Sequence, residues 1–322
     1  VFCVCAPIPF IHLSMESLMT KSVSLIMVTV HGSNVLSPAI CNCLPLKGTT
    51  IGAITDAGVV DFSLLDSDAP TDLGEAIKGG QLNYLATLLA KAGNQVHHQI
   101  KDLTLALPIS RPGKILCLGL NYMDHVAEGP FDKQPFPAIF MRSSTSLVAA
   151  NEPIRAPVIS QTLDYEAELA VVIGKECKNL SEENALDVIA GYSCFNDGSV
   201  REFQRHTIQW TMGKNFDKTG PFGPVLVTPD ELPTAAKGLK IECRLNGQTV
   251  QSSTTDMMIF PVIETLVYIT KALTLEPGDL VVMGTPSGVG HARKPPLWMK
   301  DGDLVEIEIE GIGILANPIK AE

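Results

Sequence analysis

The chain is short of positive charge. Its 322 residues carry 24 lysines and arginines against 35 aspartates and glutamates, a formal net charge of −11 at pH 7. Nucleic-acid backbones and anionic membranes attract clustered Lys and Arg, so this balance argues against both as partners. An anionic small molecule would need a local cation to receive it. The first lysine is Lys21 and the first arginine is Arg111, so neither the basic start of a secretory signal nor an Arg-rich transit peptide is visible. The apolar run "VSLIMVTV" is far too short to span a bilayer. The eight cysteines include no C-x-x-C pair and no set at zinc-finger spacing. Reduced thiols in an intracellular compartment follow, with the cytoplasm as default and mitochondrial import left open. Repeats, low-complexity tracts and the G-x-G-x-x-G of dinucleotide-binding folds are absent as well.

What is present reads as globular: 45% of residues are hydrophobic and 18% charged. Residues 1–45 are read as an N-terminal extension without assignable structure. "TTIGAITDAGVVDFSLL" (49–65) holds two β-type runs joined at Asp56-Ala57-Gly58, a hairpin signal. A helical period at Leu82, Leu85, Leu88 and Leu89 follows within 73–93, with Gly93 as its stop. The proline-marked stretch 105–114 reads as a linker, so a small N-terminal α/β domain over 46–110 is expected. From 113 to 322 the texture changes to short apolar runs separated by Gly and Pro. The run from Val305 to Glu310 alternates strictly, as a strand with one polar face does. Helices are expected at 181–192, capped by Ser181, and at 257–273, with Pro261 near the start. The fold class is α+β and β-dominated.

Three stretches could carry chemistry. In "LDYEAELAVVIGK" (163–175), Asp164, Glu166 and Glu168 alternate on what reads as one strand face. With Asp197 from "CFND", Glu166 and Glu168 suit Mg²⁺ or Mn²⁺, hard ions that prefer oxygen. By spacing alone, a solvated sheet face or a glycosidase acid pair remain alternatives. In "GLNYMDHVAEG" (119–129), His125 and Glu128 lie three residues apart, so one helical turn would bring them together as a base and its orienting acid. The segment 196–224 gathers Arg201, Arg205, His206, Lys214 and Lys218 near Asp197. "GTPSGVG" (284–290) could offer backbone N–H groups and the Thr285 hydroxyl to a carboxylate, and it is not a Walker loop because no G-K-[ST] closes it.

The order of these motifs resembles the fumarylacetoacetate hydrolase family. N-Y-x-D-H-x-x-E is followed by D-Y-E-x-E-L, N-D-x-S-x-R-[DE]-x-Q, G-K-N-F-D, G-T-P-x-G-V-G and G-D-x-V-E-[IV]-E-I-E-G-I-G, over about 113–319. The resemblance implies a mixed β-sandwich roll, a homodimer and a bound Mg²⁺ or Mn²⁺. It implies Glu166, Glu168 and Asp197 as metal ligands, His125 and Glu128 as a catalytic dyad, and Lys214 as the group stabilising developing negative charge. Arg201, Gln204 and Thr285 match residues that contact the substrate. Arg142 stands where the family often has Lys, and it is expected at the substrate because a forked guanidinium suits a carboxylate. "NDGSVRE" also departs from the pattern at Gly198 and Glu202. The implied substrate is a small 2-oxo or 2,4-dioxo acid reacting through an enolate. C–C hydrolysis of an acylpyruvate or fumarylacetoacetate-type molecule is placed first. Oxaloacetate decarboxylation or tautomerisation and 2-hydroxy-diene-dioate isomerisation are the alternatives, and an inactive, metal-stabilised binding member is the non-enzyme reading.

Overall fold

The computed structural model describes residues 24–30, 48–55, 57–128 and 134–322. Most of the expected extension, residues 1–23 and 31–45, lies outside the described residues, as does Asp56 of the expected hairpin turn. Within that extension Ser24–Val30 forms a strand. The large sheet runs, in spatial order, Gly58–Asp61, Gly48–Thr55, Ser24–Val30, Gly220–Val227, Ile189–Asn196, Ala167–Ile173, Leu280–Val282, Ile115–Gly119 and Ala138–Arg142. The N-terminal hairpin therefore continues the sheet built by later residues. A second sheet runs Gln248–Thr254, Lys240–Leu245, Leu304–Ile309, Gly313–Ala321 and Ile154–Ala156. Most pairs are antiparallel, but Leu280–Val282 runs parallel to Ile115–Gly119, and Gly313–Ala321 runs parallel to Ile154–Ala156.

Residue alternation explains the layers. Along Ala167–Ile173 every residue is buried, as expected of a strand covered on both faces. Leu169, Val171 and Ile173 join a core shared with Ile241, Ile307 and Leu315 of the second sheet. Ala170 and Val172 point the other way, into a core with Leu73, Ile77 and Leu85 of the N-terminal helices. The result is α+β and β-dominated, with sheet on sheet and helices on the outer face. In Leu304–Ile309, Val305, Ile307 and Ile309 are buried while Glu306 and Glu308 pair with Arg244 on the neighbouring strand.

Two expected helices differ. Residues 73–93 form two, Leu73–Lys78 and Leu82–Ala92, because Gly79 and Gly80 end the first and Gly80 takes a left-handed φ of +65°. At 181–192 only a 3₁₀ turn, Ala185–Val188, forms before the chain enters the strand Ile189–Asn196. Pairing with Ala167–Ile173 overrides the local helical pattern, and Gly191 permits it: a Cβ there would sit 2.5 Å from the Val227 carbonyl oxygen. The third expectation differs only in extent. Its helix is Val262–Ala272, with Pro261 at the N-cap. Among the described residues no helix is long and apolar enough to cross a membrane.

Candidate active site

Two neighbouring strands assemble the acids. Ala167 faces Asn196 in the register of Ala167–Ile173 against Ile189–Asn196. Just before that pair, the Glu166 N–H donates to Asn196 Oδ1 at 2.9 Å, and the Asp197 N–H donates to the Glu166 carbonyl at 2.9 Å. These bonds pin both strand ends, so Glu166, Glu168 and Asp197 converge with ligand oxygens within 4.8 Å of one another. All three are buried, at 4%, 1% and 0% exposure. Burying three carboxylates together is costly unless cations compensate.

Two of the three are compensated. Lys214 Nζ donates to Glu166 Oε2 and to Asp197 Oδ2, both at 2.6 Å. Arg201 Nη2 donates to Glu166 Oε1 at 2.6 Å, and Arg142 Nη1 donates to Asp197 Oδ1 at 2.5 Å. Burial pushes the Glu166 carboxyl up, but Arg201 and Lys214 outweigh it and hold the group below the usual carboxylate range. Burial would likewise lower the Lys214 ammonium, yet Asp197 and Glu166 raise it. Glu168 forms no ion pair with any described residue. Among the described residues its carboxylate accepts only from the Gly284 N–H, at 2.6 Å, and burial followed by the Asp197 and Glu166 charges pushes it well above its ordinary value. An uncompensated buried carboxylate beside two more oxygen donors fits a small hard cation such as Mg²⁺ or Mn²⁺.

Glu166 and Glu168 open onto a cavity of about 470 Å³ whose wall also includes Lys214, Arg201, Gln204 and Thr285. His125 and Glu128 line the same cavity. Both belong to the expected helical turn, Met123–Val126 and the two residues after it, and His125 Nδ1 lies 3.0 Å from Glu128 Oε2. The turn is fastened to the "GTPSGVG" loop: Gly288 N–H donates to Glu128 Oε1 at 2.8 Å, and Ser287 Oγ donates to Asp124 Oδ2 at 3.0 Å. Ser253 Oγ adds a bond to Asp124 Oδ2 at 3.3 Å. Gln251 fixes Thr285, donating from Nε2 to Oγ1 at 2.8 Å. Gly284 makes this loop possible, with φ of +87° and a would-be Cβ only 2.7 Å from Asn121 Cβ.

Two sequence expectations need correction. Asp164 does not share the face of Glu166 and Glu168, because the strand breaks: Leu163–Asp164 and Ala167–Ile173 belong to different sheets. Asp164 instead accepts from Arg201 Nε at 2.8 Å and from the Gly290 and His291 N–H groups at 2.7 and 3.0 Å. It holds Arg201 against Glu166. Arg142, expected at the substrate, is not on the cavity wall. Its guanidinium is buried among Asp197, Ser146 Oγ, the Gly198 carbonyl and Thr219 Oγ1, so it fixes Asp197 from behind.

The cavity also has members absent from the sequence expectation, Phe140, Trp210 and His291, together with Arg205, which was expected only as one of the cations near Asp197. Phe140 and Trp210 meet edge to face at 5.5 Å, and Lys214 Nζ lies 5.0 Å from the Phe140 ring centre. Gly119 makes room for the indole, since a Cβ there would fall 2.1 Å from Trp210 Cζ3. Nothing in the local pattern announces that contact. Arg205 was visible in the basic segment, four residues after Arg201.

A β-rich fold with a buried carboxylate cluster and a His–Glu pair beside one cavity is the arrangement of an enzyme. Residues 114–320 match the family described as fumarylacetoacetate (FAA) hydrolase C-terminal, and the chain belongs to that family. It is 39% identical over 269 residues to a mitochondrial oxaloacetate tautomerase of Xenopus laevis, covering 83% of this chain and 84% of the relative. Among solved structures it resembles a fumarylacetoacetate hydrolase from psychrophilic Exiguobacterium antarcticum, with a TM-score of 0.74 and 31% identity over 94% of this chain and 100% of the other. It also resembles 2-hydroxyhepta-2,4-diene-1,7-dioate isomerase from Mycobacterium marinum, with a TM-score of 0.66 and 30% identity over 94% and 99% of the two chains.

Proposed function

We propose that this enzyme interconverts the keto and enol forms of a small 2-oxo dicarboxylic acid of the oxaloacetate type, with Mg²⁺ or Mn²⁺ held by Glu166, Glu168 and Asp197. The observation that carries this reading is a His–Glu pair lining the same cavity as Glu166 and Glu168, two of the three clustered acids. The bound ion would polarise the keto group and make the neighbouring C–H more acidic. His125, oriented by Glu128, takes a proton from the carbon beside the ketone as the C–H electron pair moves into the new C=C bond. The Lys214 ammonium stabilises the negative charge growing on the keto oxygen. The protonated His125 then gives that proton to the keto oxygen, so no water or other reactant is consumed. Arg201, Gln204 and Thr285 orient the acid from the cavity wall.

C–C hydrolysis, placed first from the sequence, has weaker support than tautomerisation, since the curated relative above is named for the latter. Hydrolysis would need a water held against a distal carbonyl. A homodimer is part of the proposal, and the relative's name weighs toward a mitochondrial rather than cytoplasmic location. The test follows oxaloacetate enol decay by absorbance with and without Mg²⁺, with products identified by NMR. Accelerated decay without carbon loss is expected. Cleavage of an acylpyruvate with no acceleration of enol decay would replace this reading by hydrolysis.

A further inference from the structure

The cavity wall carries three Lys or Arg side chains among the described residues: Lys214, Arg201 and Arg205. Two are already committed to carboxylates of the protein. Lys214 bridges Glu166 and Asp197, and Arg201 bridges Asp164 and Glu166 while donating from Nη1 to Gln204 Oε1 at 2.9 Å. Arg205 makes no side-chain hydrogen bond and no ion pair with any described residue. It caps the short helix Arg201–Gln204, and its N–H donates to the Arg201 carbonyl at 3.2 Å. The i, i+4 spacing puts the two arginines on one face, the first buried at the acids and the second exposed, and both line the cavity.

We infer that Arg205 is a specificity-determining residue that receives the second carboxylate of a dicarboxylic substrate, an inference that rests on the 2-oxo acid reading above. A 2-oxo acid placed with its keto end at Glu166, Glu168 and Lys214 extends its other end away from them. Among the described residues of that wall, Arg205 is the one Lys or Arg without a carboxylate partner. Its forked guanidinium can accept a carboxylate by two parallel hydrogen bonds. In a chain of net charge −11 an anion approaches against the overall field, so a free cation at the cavity favours entry of a doubly charged substrate. A monocarboxylate has nothing to place there.

The test compares two four-carbon 2-oxo acids, oxaloacetate and 2-oxobutyrate, which differ at C4 in carrying a carboxylate or a methyl group. Equilibrium dialysis in the cold measures their binding to the Mg²⁺-loaded full chain, to Arg205→Gln and to Arg205→Lys. The wild type should prefer oxaloacetate. Arg205→Gln should lower the oxaloacetate-to-oxobutyrate affinity ratio by about fivefold, the upper end for a solvent-exposed pair. That loss should shrink as salt is added, and Arg205→Lys should retain part of the preference. Because Arg205 holds no other side chain, the variants should fold, which the wild-type melting temperature checks. A ratio unchanged in Arg205→Gln overturns the inference even if tautomerisation is observed. A ratio that falls while oxaloacetate enolisation is not accelerated keeps the inference and rejects the tautomerase reading. Wild type that binds neither acid overturns both.

Discussion

At the scale of single residues, Asp164 is the clearest case of a side chain acting through another. It does not line the cavity itself, but it bonds to two residues that do, Arg201 and His291. Burial opposes its charge, yet Arg201 and then His291 hold its carboxyl below the ordinary value of 3.8. A folded-state value below the unfolded one means the stabilisation is fully present above pH 3.8 and is lost as the pH falls through the lowered value. Asp164→Asn should therefore cost about 3–5 kcal/mol near neutrality, the loss typical of breaking a buried ion pair. Urea unfolding should show that gap narrowing once the pH drops below 3.8. The sequence showed three acids at alternate positions but not the break that sends Asp164 to a different sheet. A period of two is legible only while the strand lasts.

At the scale of elements, the turn that carries His125 is held from outside by Asp124 and Glu128. Asp124→Ala should remove the bonds to Ser287 and Ser253 and let the turn move. The expected outcome is a fall in kcat of about tenfold with a smaller change in KM, as misplacement of a catalytic group produces. Faster amide hydrogen exchange across residues 123–128 should accompany it, and equal rates in wild type and variant would show that the latch carries no load. The His125–Glu128 pairing was legible because it lies within one helical turn. The latch was not, since Ser253 and Ser287 are 129 and 163 residues away from Asp124. The same limit explains 181–192, where local signals favour a helix and a neighbouring strand decides otherwise. The long apolar runs and the alternation of Val305–Glu310 were readable because burial writes them directly into residue order.

At the scale of the whole molecule, the acid cluster is largely neutralised by Lys214, Arg142 and Arg201 without help from an ion. The metal-stripped protein should accordingly remain folded. Mg²⁺ binding to the native state should still raise its stability, by about 2.7 kcal/mol at a hundredfold excess over Kd. Melting curves with chelator and with Mg²⁺ read this shift. Glu168→Gln should keep the metal-free melting temperature, because it replaces a buried carboxylate that lacks a cation. It should abolish most of the Mg²⁺-dependent rise. A full rise in that variant would place the ion elsewhere.

The parallel pairing of Ile115–Gly119 with Leu280–Val282 has a consequence for the chain as it is made. Lys114, beside the first strand, bonds to Asp279, beside the second, at a sequence separation of 165 residues. At a synthesis rate of about 5–20 residues per second, the first strand waits roughly 8–33 s for its partner to emerge. Its other neighbour, Ala138–Arg142, arrives much sooner, so for that interval one edge of an apolar strand stands open to any other chain. On the ribosome, the strand that leads into the His125 turn is among the first parts of the site to appear, and it waits with one edge unpaired.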